Sequence, residues 1–219
     1  MIDLSSIKGA IFDADGTLFD SMWMWLQVES DYLKSLAVLP REDQVEALRP
    51  LSHSETAEYF RSEYGMNKTV QEITNEKNAM MEHFYFSEVQ LKPGVIPVLE
   101  ALYVRGVKMC VATATDRHLI EPPLRNTGIL RYFERIFTCG EENTSKKKPE
   151  IFIRAASFLE TDIKETIVVE DAFHAIISAK RAGFPVIGVY DRSAGLFHDE
   201  IREQSDYYFT VLDEMLELL

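Results

Sequence analysis

The stretch IFDADGTLFDS, residues 11–21, sets Asp13 and Asp15 one residue apart at the end of an apolar run. Two carboxylates that close repel each other unless a cation or a shared proton lies between them. Gly16 and Thr17 come next, so the backbone there can turn tightly and approach a ligand. The pattern reads as a strand that delivers a site rather than as a solvated turn.

Working outward, short apolar runs rich in β-formers recur at 8–12 (KGAIF), 107–113 (VKMCVAT), 134–138 (ERIFT), 166–170 (TIVVE), 185–190 (PVIGVY) and 207–210 (YYFT). Helical patterns at 94–105, 149–160 and 172–182 lie between them. The first and last are closed by Gly106 and Gly183, as a left-handed helix end requires. Near-continuous apolar strands alternating with helices predict a parallel sheet covered on both faces, a doubly wound, Rossmann-like α/β core.

Residues 20 to 88 break the alternation, for they hold no strand pattern. Met22, Trp25, Leu26, Tyr32, Leu33 and Leu36 form one helical stripe. Ser52 and Glu55 fit a capping box opening a second helix, and 68–86 read as a third. This exceeds a normal crossover and predicts an inserted helical cap at 19–88, with the core formed by 1–18 and 89–219.

The chain has 219 residues, enough for a full core plus an insertion. Its net charge of −13 disfavours non-specific binding to nucleic acid or to an anionic membrane surface, and the one basic run, Lys146 to Lys148, is too short to reverse that. No run approaches the roughly 18 apolar residues that would span a bilayer, and the N-terminus lacks a signal-peptide pattern. Cys110 lies in an apolar run as a buried thiol, and the two cysteines form no CxxC pair. These features predict a cytoplasmic protein with a small-molecule partner and leave the oligomeric state open.

In open α/β sheets, ligands bind beyond the carboxyl ends of the strands. Asp13 and Asp15 follow the first strand, Thr113 closes the second, the lysine cluster follows the third, and Glu170 with Asp171 ends the fourth. The set suits phosphoryl transfer. Mg²⁺ takes oxygen ligands and keeps waters and a substrate phosphate, so Asp13 and Asp171 could supply the protein's share. A lysine and the Thr113 hydroxyl could hold phosphate oxygens, leaving one carboxylate to attack and another to move protons.

With these residues in view, the chain resembles the haloacid dehalogenase superfamily of phosphohydrolases over essentially its whole length, in the branch with a helical cap after the first strand. The family's D-x-D-G-T-x-x-D is matched by Asp13, Asp15, Gly16, Thr17 and Asp20. The resemblance implies that Asp13 is a nucleophile forming an aspartyl phosphate. It makes Asp15 the general acid/base, whose backbone carbonyl also reaches Mg²⁺. Thr113 and the amide of Ala114 would bind phosphate. The family's K-P-x-P-x-x-F becomes KKKPEIF at 146–152, so the later proline and phenylalanine assign the phosphate-binding lysine to Lys146, whereas the nearest Lys-Pro pair would give Lys148. Asp171 would ligate the metal, and Glu170 would do so directly or through its neighbours. A glycine common after this pair is Ala175 here.

Asp15 separates this reading from the dehalogenases, since halide leaves without a proton. The implied activity is a Mg²⁺-dependent phosphatase acting on a small phosphomonoester, with Arg49 or His53 of the cap facing the leaving group. One competitor is a β-phosphoglucomutase-type mutase, but the cap histidine of those relatives is Trp25 here, and their cap arginine corresponds to His53. Another is a receiver-like signalling module, which lacks a helical insertion after its first strand. Asp20 and Asp116 are expected to cap the helices that follow them, and Trp23 and Trp25 to lie in the cap core.

Overall fold

The computed structural model describes residues 4–48, 51 and 53–219. The chain runs β1 (Gly9–Phe12), α1 (Met22–Ser35), α2 (Gln44–Leu48), α3 (His53–Glu63), α4 (Val70–Ser87), α5 (Val95–Val104), β2 (Lys108–Thr113) and α6 (Arg117–Asn126). It continues through β3 (Arg135–Thr138), α7 (Glu150–Leu159), β4 (Thr166–Glu170), α8 (Phe173–Arg181), β5 (Val186–Val189), α9 (His198–Gln204) and β6 (Tyr207–Phe209). Each predicted strand is present to within one residue at either end.

The six strands form one sheet in the order β3-β2-β1-β4-β5-β6, with every neighbouring pair parallel. Because both faces are covered, residues of opposite parity on one strand enter different cores. Ala10 and Phe12 pack with Met109, Val111, Ile167 and Val169 on one side. Ile11 packs with Cys110, Ala112 and Val168 on the other, against Ile151, Phe152 and Ala155 of α7 and Ile176 of α8. That two-sided burial is why the strands read as apolar runs without alternation. The chain leaves β1 first toward β2 and β3, and later toward β4, β5 and β6. The strand order therefore reverses beside β1, and a crevice opens between the carboxyl ends of β1 and β4.

Helices α1 to α4 leave and rejoin the sheet at two adjacent passes. Asp20 N–H donates to the Gln90 carbonyl at 3.0 Å, and Lys92 N–H to that of Leu18 at 2.9 Å. Far from these passes the helices have a core of their own: Tyr32, Leu33, Leu48, Ala57, Phe60 and Ile73, with the Tyr32 and Phe60 rings stacked at 6.0 Å. Near the passes they share the core of the sheet, through Trp25 and Val28 of α1 and Met81, Phe84 and Tyr85 of α4.

Several local expectations change. Ser52 of the expected capping box lies outside the described residues; the box that is described joins Thr69 and Glu72 at the start of α4. Asp116 occupies the cap position of α6 without bonding its free amides. Its carboxylate instead accepts from Asn78 Nδ2 of α4 at 2.7 Å, joining the helical insertion to the core. Asp20 is exposed and is no helix cap; the cap position of α1 is Ser21. Trp25 is buried as expected, but Trp23 is 38% exposed and donates its indole N–H to the Asp20 carbonyl.

Candidate active site

Asp13 continues β1 by donating its amide to the Val169 carbonyl of β4 at 2.9 Å, so it stands in the crevice where the strand order reverses. Asp171 follows β4 directly. Gly16 lets the two segments meet. Its φ is +83°, and an added Cβ would lie 2.2 Å from Asp171 Oδ2. Gly65 has a similar φ of +60° with nothing within 4 Å. Both Gly→Ala changes therefore carry left-handed strain of about 1–2 kcal/mol, and only Gly16→Ala adds a collision with a site carboxylate. We expect Gly16→Ala to lower the melting temperature more than Gly65→Ala does, and to cut catalytic turnover at least about tenfold. Equal effects of the two substitutions would contradict the close approach.

Lys146 is buried, and its ammonium donates to Asp13 Oδ1 and, at 2.6 Å, to Glu170 Oε1. Lys148 is exposed, and Lys147 is exposed and paired with Glu55 of α3 at 2.6 Å. Both Glu170 oxygens are engaged, since Oε2 accepts the amides of Asp171 and Ala172 at 3.1 and 3.0 Å. Asp171 is far less committed, with one long contact from Thr17 Oγ1 at 3.5 Å.

Asp15 is held on both oxygens. Oδ1 accepts from Ser21 Oγ at 2.6 Å and from the Tyr85 hydroxyl, while Oδ2 accepts from Thr115 Oγ1 at 2.7 Å. Tyr85 in turn accepts the Trp25 indole N–H at 2.8 Å. Thr113 ends β2 fully buried, and its Oγ1 accepts the Thr115 amide at 3.0 Å. Sequence reasoning missed Ser21, Tyr85, Thr115 and Lys92. Thr115 lies two residues past β2 and Ser21 at the cap position of α1, so both could have been found by position, whereas Tyr85 lies 70 residues from Asp15 and carries no local signal. Lys92 Nζ braces the turn from outside, donating to the carbonyls of Gly16 and Tyr190 at 2.5 and 2.6 Å and to Asp191 at 3.0 Å.

Burial chiefly pushes the Asp13 carboxyl up to about 8; Glu170 and Asp15 add to the shift and Lys146 opposes it. Burial also raises Asp171 well above the ordinary carboxylate range, with Asp13 and Glu170 adding repulsion. For Lys146 burial works against the ammonium, but Asp13 and Glu170 outweigh it and hold the pKa above that of a free lysine. Asp13, Glu170 and Asp171 present carboxylate oxygens within 4.8 Å of one another. Three buried carboxyl groups beside one ammonium would carry excess negative charge once ionised, and burial, with that cost, is what raises the Asp13 and Asp171 values. This all-oxygen donor set fits a hard divalent cation, and the lightly committed Asp171 is the group best able to turn toward one.

These groups line one cavity of about 780 Å³ between the sheet and helices α1, α3 and α4. Of the residues expected to select substrate, Arg49 lies outside the described residues. For His53 only the backbone, at the start of α3, is described.

The profile of the haloacid dehalogenase-like hydrolases matches residues 10–189. The chain belongs to this family. It is 27% identical over 196 residues to YhcW of Bacillus subtilis (strain 168), covering 88% of this chain and 89% of that protein. It is 24% identical to (DL)-glycerol-3-phosphatase 2 of Arabidopsis thaliana, over 91% of this chain and 86% of that one. Among solved structures, a HAD hydrolase of family IA from Entamoeba histolytica superposes with a TM-score of 0.84 at 20% identity, covering 97% and 99% of the two chains. That likeness shows one shared fold over 97% of the chain.

Proposed function

We propose that this hydrolase is a phosphatase that cleaves a small phosphomonoester through an aspartyl phosphate on Asp13, with Mg²⁺ as its cation. The observation that carries the reading is the position of Asp13. It is a buried carboxylate at the sheet's crevice, bonded to the Lys146 ammonium and adjoining Asp171. Helices α1 to α4 act as the cap of residues 19–88, screening the cavity from bulk water.

The chemistry divides into two displacements. An Asp13 carboxylate oxygen attacks phosphorus, the P–O bond to the leaving group breaks, and the Asp15 carboxylic acid passes its proton to the departing alkoxide. Asp15, now a carboxylate, takes a proton from water; the resulting hydroxide attacks phosphorus and displaces the Asp13 carboxylate, releasing phosphate. Lys146 balances the charge that Asp13 and the phosphoryl oxygens share. The Thr113 hydroxyl and the Ala114 amide hold the remaining oxygens. A Mg²⁺ ion held by Asp13, Asp171 and the Asp15 carbonyl would offset the repulsion between the incoming phosphate and the carboxylates. Glu170, with both oxygens engaged by the protein, would position Lys146 and Asp171 rather than bind the ion itself.

The mutase reading has less support. Trp25, in place of the mutase histidine, offers no titratable group, and its indole N–H is given to Tyr85.

Phosphate release from a panel of phosphomonoesters, measured with Mg²⁺ and after chelation, tests the assignment. We expect release with Mg²⁺ to fall at least about 100-fold on chelation and to return when Mg²⁺ is restored. Release indifferent to chelation would overturn the cation's part.

A further inference from the structure

In the sheet, β1 and β5 flank β4, whose end carries Asp171, and one side chain joins the segments that follow the two flanking strands. Lys92 lies at the second pass between the helical insertion and the core, and its side chain is only 13% exposed. Its ammonium donates to the Gly16 carbonyl past β1 and, past β5, to the Tyr190 carbonyl and Asp191 Oδ2, at 2.5, 2.6 and 3.0 Å. An ammonium has three N–H donors, so this set uses all of them. Asp191 is buried, and its Oδ1 accepts the Ser193 amide at 2.9 Å. Neither Lys92 nor Asp191 lines the cavity, so whatever they do for the reaction they do through their neighbours.

Those neighbours belong to the site. Lys92 also grips the turn by its backbone, because its N–H donates to the Leu18 carbonyl at 2.9 Å. The carbonyls of Gly16 and Leu18 are thus held by one residue, and between them Thr17 reaches Asp171 with its hydroxyl. After burial, Asp13 and Glu170, the influences on the Asp171 carboxyl are Asp191, which raises its pKa, and Lys92, which lowers it.

We propose that Lys92 is a positioning residue whose ion pair with Asp191 fixes the turn of residues 13–18 against the end of β4, holding Asp13, Asp15 and Asp171 in register for phosphoryl transfer. This role rests on the phosphatase reading above. Removing the ammonium frees two carbonyls and leaves Asp191 buried without its counter-charge. The turn then relaxes, and a displacement of about 1 Å between reacting groups costs roughly 10²-fold in rate. Because the pair lies outside the cavity, the loss falls on kcat rather than on KM.

The test uses whichever ester of the panel above, p-nitrophenyl phosphate included, the wild type turns over fastest, with saturating Mg²⁺ and below the melting transition of every variant. Lys92→Met, Asp191→Ala and the double variant Lys92→Met/Asp191→Ala are each expected to lose about 10- to 100-fold in kcat, with KM within about threefold. The double variant should lie no more than about threefold below Lys92→Met, since both single changes undo one contact. It also buries no lone charge, so it supplies the result where a single variant does not fold. Arg105→Met is the control for stability alone. Arg105 likewise donates to three carbonyls, those of Leu4, Ser5 and Leu219, but it stands ahead of β2 and away from the strand ends that form the site. This variant should melt lower than wild type and keep kcat within about twofold. Wild-type kcat in folded Lys92→Met or in the folded double variant, a change confined to KM, or an equal loss of kcat in Arg105→Met overturns this inference alone. Losses that multiply in the double variant remove Asp191 from the role. Absence of wild-type turnover on the whole panel overturns the phosphatase reading and this inference with it.

Discussion

Replacing Asp13 with asparagine is expected to lower turnover by at least about four orders of magnitude, because on the proposed mechanism the variant lacks the oxygen nucleophile that divides the reaction into two steps. The fold should survive, since the amide that extends β1 toward Val169 is backbone and is unaffected. An asparagine side chain can also still accept from Lys146. Stability supplies a second readout. In the folded, cation-free protein the Asp13 proton is retained up to about 8 because of burial, whereas the unfolded chain releases it near the ordinary aspartate value of 3.8. Between those values the folded state binds the extra proton, so the stability Asp13 contributes is lost as pH rises. Asp13→Asn cannot titrate and should flatten this part of the stability-against-pH curve. Rapid-quench detection of a phosphorylated protein in wild type and not in Asp13→Asn would complete the assignment. Turnover retained by the variant would remove Asp13 as nucleophile.

Lys146→Met should reduce kcat/KM by about 10² to 10³, the scale on which a preorganised donor to developing charge acts. Lys148→Met should stay within about twofold. The contrast follows from burial, as Lys146 bonds Asp13 and Glu170 inside the site while Lys148 is exposed. Removing Lys146 also leaves two buried carboxylates without their ammonium, which costs about 3–5 kcal/mol. The variant should therefore melt lower than wild type without divalent cation and recover part of the difference when Mg²⁺ is added. Paired kinetics and melting curves for the two variants decide it. A larger loss for Lys148→Met would transfer the phosphate contact to Lys148.

Most of the sheet was legible because parallel strands buried on both faces must be apolar throughout. TIVVE and VKMCVAT have few other places to go in a globular chain. Gly106 and Gly183 also marked real helix ends, at φ values of +75° and +91°. The helical insertion could be read as a gap in that pattern, but its contacts could not. Asp116 looks like an ordinary helix cap in sequence, yet its carboxylate is taken by Asn78, which is 38 residues away. Here the local capping rule yields to a tertiary donor, Asn78 Nδ2, at 2.7 Å from the carboxylate.

By itself the sequence determined the strand-end chemistry of the core. Asp13, Asp15, Thr113 and the pair Glu170-Asp171 stand at chain positions where the strand pattern stops, and short-range sterics set where that happens. Motif spacing favoured Lys146 over Lys148, and the tertiary structure supplies the reason that this lysine of the three is drawn inside, since it meets two buried carboxyl groups, Asp13 just past β1 and Glu170 at the end of β4. Only the tertiary structure decided that Ser21, Tyr85 and Thr115 converge on Asp15, and that Glu29 meets Lys77 across 48 residues. Such groups leave no periodic trace in sequence. Their pairing becomes favourable only after packing has removed water from them and left each with one another as partners.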